Sequence, residues 1–405
     1  MNVDILVIGG GISGLTAAVE AAETGYSVAL IEKNPYLGGR VAQLTKYFPK
    51  MCPPYCGLEI FLKRLKNCDI KVITNAKVKR VEGVAGNFNV FIEKMPRFVN
   101  ENCTACGECE KVCPIERPSE FDFGLGKTKA IYLPHDMAYP YIYAIDPNAC
   151  NKCGECVKVC RYNAIDLEDQ PEEMTINAKA IIVATGYNPY DANKLETLGF
   201  ENPDVITNMM MERLASPNGP TKGKILRPSD GKEPKVVAFA QCAGSRDENH
   251  LPYCSAICCL ATMKHALYIR EQIPDSKVYI FYIDVRAYGR YEDFLKRVEE
   301  DENIVFVRGK VAKVESRDGK VVVHAEDTLT GKRTEMEADL VVLAVGMQPT
   351  TAVERIEGLE YDDYGFVIEK EGIIPCGVAR MPADVAMSNR DATGAVVKAI
   401  QVVRG

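Results

Sequence analysis

The sequence predicts an α/β protein built from two dinucleotide-binding-type domains, with a smaller α+β module inserted into the first. Three observations predict this architecture. The N-terminus runs strand, glycine turn, helix, strand. A second strand–helix–strand unit follows far downstream, between Lys235 and Ile283. Between the two lie eight cysteines in two identical runs, a pattern foreign to both units. The expected division gives 1–95 and 167–215 to the first domain, 96–166 to the insert and 216–338 to the second domain, with 339–405 returning to the first.

Val3 to Ile8 is apolar except for Asp4 and reads as a buried strand. Gly9-Gly10-Gly11-Ile12-Ser13-Gly14 follows, then a helical stretch from Leu15 to about Thr24. Gly9 allows a tight turn, Gly11 lets a pyrophosphate approach the backbone, and Gly14 lets helix and strand pack closely. Ser13 stands at the helix start, whose dipole favours an anion. The next strand, Ser27 to Ile31, ends at Glu32 and Lys33, where a carboxylate can accept hydrogen bonds from a ribose diol. An ordinary turn would explain the glycines but not the ordered acid.

The cysteine runs are Cys103-x-x-Cys106-x-x-Cys109-x-x-x-Cys113 and Cys150-x-x-Cys153-x-x-Cys156-x-x-x-Cys160. This is two-cluster ferredoxin spacing, in which three thiolates hold one [4Fe–4S] cube and the fourth ligates the other. Cys103, Cys106 and Cys109 are therefore paired with Cys160, and Cys150, Cys153 and Cys156 with Cys113. A zinc ribbon wants paired CxxC units, and a disulfide framework wants a short secreted chain. Arg161 follows Cys160 where Pro114 follows Cys113; a cation there would raise one cluster's potential and make the two unequal. The flanks are Pro96-Arg97 and an acidic stretch, Glu168 to Glu173, read as a solvated connection.

Gly38-Gly39-Arg40 and two strand ends, Ala184-Thr185-Gly186 and Ala344-Val345-Gly346, resemble the segments that close over FAD in the thioredoxin-reductase and glutathione-reductase superfamily. Gly372 to Gly377 sits where that superfamily has a Gly-Asp pair near the flavin ribityl chain. The aspartate is missing here, with Asp384 as its candidate substitute. A helix from about Asp391 to Val403 would aim its dipole at the flavin, with Asp391 as a plain N-cap the alternative.

In the second unit, the strand Lys235 to Ala240 and a helix from Ser255 to Glu271 flank a segment that would be glycine-rich in a pyridine-nucleotide reductase. It reads instead Gln241-Cys242-Ala243-Gly244-Ser245-Arg246, then Pro252-Tyr253-Cys254-Ser255-Ala256-Ile257-Cys258-Cys259. Four cysteines there predict a third [4Fe–4S] cluster, held by Cys242, Cys254, Cys258 and Cys259.

With the insert and Phe281 to Ala287, these segments resemble the flavoprotein component, the A component, of the heterodisulfide reductase family. The resemblance implies those four ligands and a lysine near the flavin N5, which is Lys264 here; an ordinary surface lysine is the alternative. The methanogen proteins carry further terminal regions. With Cys52-Pro53-Pro54-Tyr55-Cys56-Gly57-Leu58-Glu59 and the stretch Met381 to Thr393, the chain looks most like the corresponding flavoproteins of the quinone-interacting membrane-bound oxidoreductases of sulfate reducers. That resemblance implies two partners, a second heterodisulfide-reductase-like flavoprotein and a membrane quinone-binding subunit, linking the menaquinone pool to adenylylsulfate reductase. The alternatives are a component of a soluble heterodisulfide reductase and an NAD(P)H-dependent flavin reductase.

Composition bounds the rest. Hydrophobic residues at 47% and charged residues at 26% describe an ordinary folded chain. A net charge of -7 without basic runs argues against nucleic acid. No apolar stretch approaches the roughly 20 residues that span a bilayer, and the opening strand is no signal peptide. Sixteen cysteines then imply a reducing cytoplasm, with any membrane association through a partner. Cys52 and Cys56, in a Pro-rich turn, read as ordinary thiols, with redox activity or ligation at a subunit interface the alternative; Cys376 reads as packing, Cys68 is left unassigned, and Ser216 to Glu233 reads as an exposed loop between domains, with partner docking its alternative use.

Overall fold

The computed structural model describes residues 1–405. Its first strand, Asn2–Ile8, is fully buried over its second half and forms the middle of a seven-stranded sheet. Val28–Ile31 and Ile70–Ile73 extend this sheet in parallel on one side. Glu172–Val183 lies on the other side, parallel to the first strand. This long strand changes partners midway. Its first half pairs antiparallel with Asn87–Lys94, and Ile181 to Val183 pair in parallel with Ile373–Pro375. The helices Ile12–Glu23 and Val385–Arg404 cover one face with small residues, so Ala17, Ala21, Ala392 and Ala399 are fully buried between them and the sheet. The acidic stretch expected to be a solvated connection is partly strand, because Glu172 and Glu173 take the register positions opposite Lys94 and Glu93.

The chain divides into two compact units: 1–42, 54–187 and 349–405 form one, 43–53 and 188–348 the other. The expected boundary at 339 falls after 348 instead, for a hydrogen-bonding reason. Leu340–Val345 lies between Val205–Thr207 and Val236–Ala243, so its ladder belongs to the second unit. That unit is an all-parallel five-stranded sheet completed by Lys277–Tyr282 and Ile304–Arg308, with a three-stranded antiparallel sheet over 311–338. The supposed exposed loop 216–233 buries Ile225, whose N–H is held by Gln272.

Within the first unit the insert starts and ends side by side, bridged at Val99 and Ile165. Its two short helices, Glu108–Val112 and Glu155–Val159, each follow a left-handed glycine, Gly107 and Gly154. The carboxy-terminal helix begins at Val385 rather than near Asp391. Asp384 is its N-cap, accepting the Met387 N–H at 2.7 Å, so that carboxylate is engaged by backbone.

Candidate redox sites

The glycine turn occupies the three residues between the first strand and the first helix. A Cβ on Gly14 would stand 1.7 Å from the Gly9 carbonyl oxygen, and one on Gly9 would stand 2.3 Å from that of Ala184. The helix N-cap, Gly11, carries no side-chain cap, which leaves its first N–H groups for an anion. Glu32 is buried, accepting the Gly10 N–H at 2.7 Å through Oε2 and Asn34 groups through Oε1. Burial raises its carboxyl above the usual range against those bonds. Lys33 points elsewhere, into an ion pair with Glu354 at 2.7 Å.

Gly39 is pressed against Gly11, with Gly38 bridged to the same residue, so the 38–40 loop lies on the turn. Arg40 donates to the Tyr187 carbonyl. Ala184 abuts Gly9, and Thr185 beside it has a buried hydroxyl with no partner. Gly377 packs on Ser13 and is held by Asp391, whose Oδ2 accepts its N–H at 2.8 Å. A glycine-lined surface, an uncapped helix start and an orphaned hydroxyl fit the pyrophosphate and ribityl portions of FAD. Gly346 joins none of this. It belongs to the second unit, where a Cβ would meet the hydroxyls of Ser245 and Ser255.

In the insert, Cys113, Cys150, Cys153 and Cys156 line one small cavity with Ile131, Ile145 and Leu167. These are the four sulfurs paired on spacing. Cys103, Cys109 and Cys160 pack into the same apolar cluster around Phe98, Val99 and Tyr143. Both runs share a local device: the second residue after the leading cysteine is left-handed and aims its N–H at that sulfur. Ala105 (φ 54) does this toward Cys103 at 3.5 Å, and Lys152 (φ 55) toward Cys150 at 3.4 Å.

The second unit repeats the device. Ala256 (φ 57) donates to Cys254 Sγ at 3.3 Å. Cys242, itself left-handed at φ 57, ends the strand Val236–Ala243, and Cys258 and Cys259 open the helix Cys258–Gln272. That helix starts three residues later than expected because the loop first turns through Ser255, whose hydroxyl takes the Met347 N–H and meets Ser245. Burial pushes the Cys258 thiol well up, and the charges of Cys242, Cys259 and Cys254 add to it. No three His, Cys, Asp or Glu side chains are set to hold a single metal ion. Thiols that accept such backbone N–H···S bonds fit cluster ligation. Of the other cysteines, Cys56 is exposed, Cys52 and Cys68 are half-buried, and Cys376 is fully buried.

Lys264 is not at the surface. It is 2% exposed, paired with Glu212 Oε1 at 2.5 Å, and donates to the Lys46 carbonyl at 2.7 Å. His265 Nε2 shares the same carboxylate, while its Nδ1 is buried without a partner. Burial raises the Glu212 carboxyl, but Lys264 and His265 outweigh it and hold it at about 2. Burial also lowers His265, so the imidazole is neutral.

Family comparisons agree with this layout. Residues 4–95 match the FAD dependent oxidoreductase family, and 100–124 and 143–166 each match a 4Fe-4S binding domain. The chain is 42% identical, over 99% of its length, to the A component of the H(2):CoB-CoM heterodisulfide,ferredoxin reductase of Methanothermobacter marburgensis. It is 43% identical over 96% of its length to the iron-sulfur A component of the CoB--CoM heterodisulfide reductase of Methanocaldococcus jannaschii. This chain is a homologue of the A components of heterodisulfide reductases. It spans 64% and 63% of the length of those two relatives. Thioredoxin reductase from T. acidophilum shares the fold, with a TM-score of 0.57 over 100% of this chain and 99% of that one at 16% identity.

Sequence reasoning missed Glu212 altogether and took Arg97 only as part of a flank. Asp391 was assigned to a helix end but holds Gly377. The late acid-to-glycine spacing was its only signal.

Proposed function

We propose that this chain is an electron-transfer flavoprotein subunit carrying one FAD and three [4Fe–4S] clusters, two in the insert and one in the second unit. The observation that carries the reading is the left-handed N–H···S device at Cys254, shared with both ferredoxin runs, in the loop between the strand that carries Cys242 and the helix that opens with Cys258 and Cys259. FAD exchanges electrons in pairs and iron–sulfur clusters exchange them singly, so the set converts one regime into the other. Gly9, Gly11, Ser13, Gly14, Glu32, Gly39, Arg40, Ala184, Thr185, Gly186 and Gly377 bind and orient the flavin nucleotide, and the twelve cysteines hold the iron. Lys264, which the family resemblance assigns to the flavin, is buried against Glu212 within the second unit.

A nicotinamide nucleotide is not the direct reductant in this reading. The first unit passes from strand to helix through three glycines, whereas Gly244 to Ile257 separates strand from helix in the second and is occupied by cysteines. Anaerobic addition of NADH or NADPH to the isolated chain should leave the flavin band unbleached; rapid bleaching by either overturns this.

The wider setting follows the stretch from Cys52 to Glu59. It supports a subunit held at the cytoplasmic face of a membrane by a quinone-binding partner, beside a second heterodisulfide-reductase-like flavoprotein, passing menaquinol electrons toward adenylylsulfate reductase. No helix is long and apolar enough to cross a membrane. The identity to the methanogen proteins favours a heterodisulfide reductase complex instead. Native co-purification separates the two: a haem- or quinone-binding integral membrane subunit supports the first, and heterodisulfide-reducing subunits with a hydrogenase or formate dehydrogenase support the second.

A further inference from the structure

Arg97 lies at the root of the insert, and its guanidinium makes three hydrogen bonds, all to backbone carbonyls: Nη1 to Pro35 at 2.5 Å, Nη2 to Ile142 at 2.9 Å and Nε to Tyr143 at 3.0 Å. No carboxylate pairs with it. A half-buried cation without an anion is costly, so its counter-charge is expected nearby. The neighbouring acidic groups acting on it are Cys103 and the phenol of Tyr132. Phe98 and Val99, the next two residues, pack against the cysteine cluster itself, as does Tyr143, whose hydroxyl donates to Glu110 beside Cys109. Arg161, the cation expected to make the clusters unequal, is exposed and has Glu108 near it. Water and that carboxylate screen it.

We infer that Arg97 is the positioning residue that sets the potential of the cluster held by Cys103, Cys106 and Cys109, with that cluster's negative charge as its missing partner. The inference rests on the ferredoxin reading of the insert. A fixed cation favours the more negative, reduced cluster, so this cluster is the higher-potential member of the pair. The same guanidinium grips Pro35, which leads into the Leu37–Arg40 loop lying on the glycine turn. Arg97 thereby ties the cluster to the nucleotide site as well as biasing it.

The test is an EPR-monitored redox titration of the anaerobic holoprotein with iron quantified in parallel. Arg97→Met should lower one ferredoxin midpoint so that its reduction constant falls about tenfold, about 59 mV for one electron, and leave the other unchanged. Arg97→Lys should restore most of the shift, and Arg161→Gln should change neither midpoint by as much. Full iron with unmoved potentials in Arg97→Met overturns the proposal, as does a larger shift in Arg161→Gln. Iron too low for two insert clusters in the unmutated chain would instead overturn the ferredoxin reading. Should Arg97→Met lose its clusters, the unmutated protein decides: a gap set by a buried cation persists from about 20 mM to about 1 M salt, and one that collapses contradicts it.

Discussion

Glu212, Lys264 and His265 form a buried charge network whose energetics depend on all three. Removing the carboxylate leaves Lys264 charged and unpaired in the interior, so Glu212→Ala should cost about 3–5 kcal/mol, read as a lowered denaturation midpoint. Glu212→Gln should cost less because it still accepts a hydrogen bond. The pH dependence follows from the direction of each shift. Glu212 is held at about 2, so its contribution is present above the ordinary carboxyl range and lost as pH falls toward that value. His265 is lowered, so the unfolded chain takes up a proton first and stability declines as pH falls below about 6.5. Thermal melts between about pH 7.5 and about pH 5.5 should show a falling Tm that His265→Asn flattens; an equal slope in the variant contradicts a buried neutral imidazole. None of this was legible in the sequence, where a lysine on a helix has no visible partner. Burial of a charge is decided by what packs over it, here Tyr268 and the Lys46 carbonyl from distant chain.

At the scale of elements, short-range signals were the readable ones. The strand, glycine turn and helix at the N-terminus were legible because sterics leave few residues able to occupy them. Gly14→Ala should therefore abolish flavin retention, since its Cβ has no room beside the Gly9 carbonyl; stoichiometric flavin in the purified variant would contradict the site. The carboxy-terminal helix was read one turn or more too short because Asp391 and Asp384 are both plausible caps, and only the backbone shows that Asp384 accepts the Met387 N–H. Asp384→Ala should lower stability by about 1 kcal/mol, with Asp384→Asn near unmutated, measured by denaturant melts. The cysteine helix started late because Ser255 hydrogen-bonds to Met347, a tertiary contact that periodicity does not register.

For the whole molecule, the two units and the insert were foreseen from motif order, while their boundaries were not. Leu340–Val345 and 43–53 carry no sequence mark of their allegiance, which is set by which strands they pair with or pack on. The cysteine spacing marked the insert clearly, since three thiolates around a cube impose a fixed local rhythm. The third set lacks that rhythm, its cysteines coming from a strand, a loop and a helix start. Iron and flavin content of anaerobically purified protein is therefore the most direct measurement of the central claim. One FAD with about twelve irons per chain, falling to about eight in Cys258→Ser, is the predicted result. About eight irons in the unmutated chain would show that Cys242, Cys254, Cys258 and Cys259 hold no cluster and contradict the account.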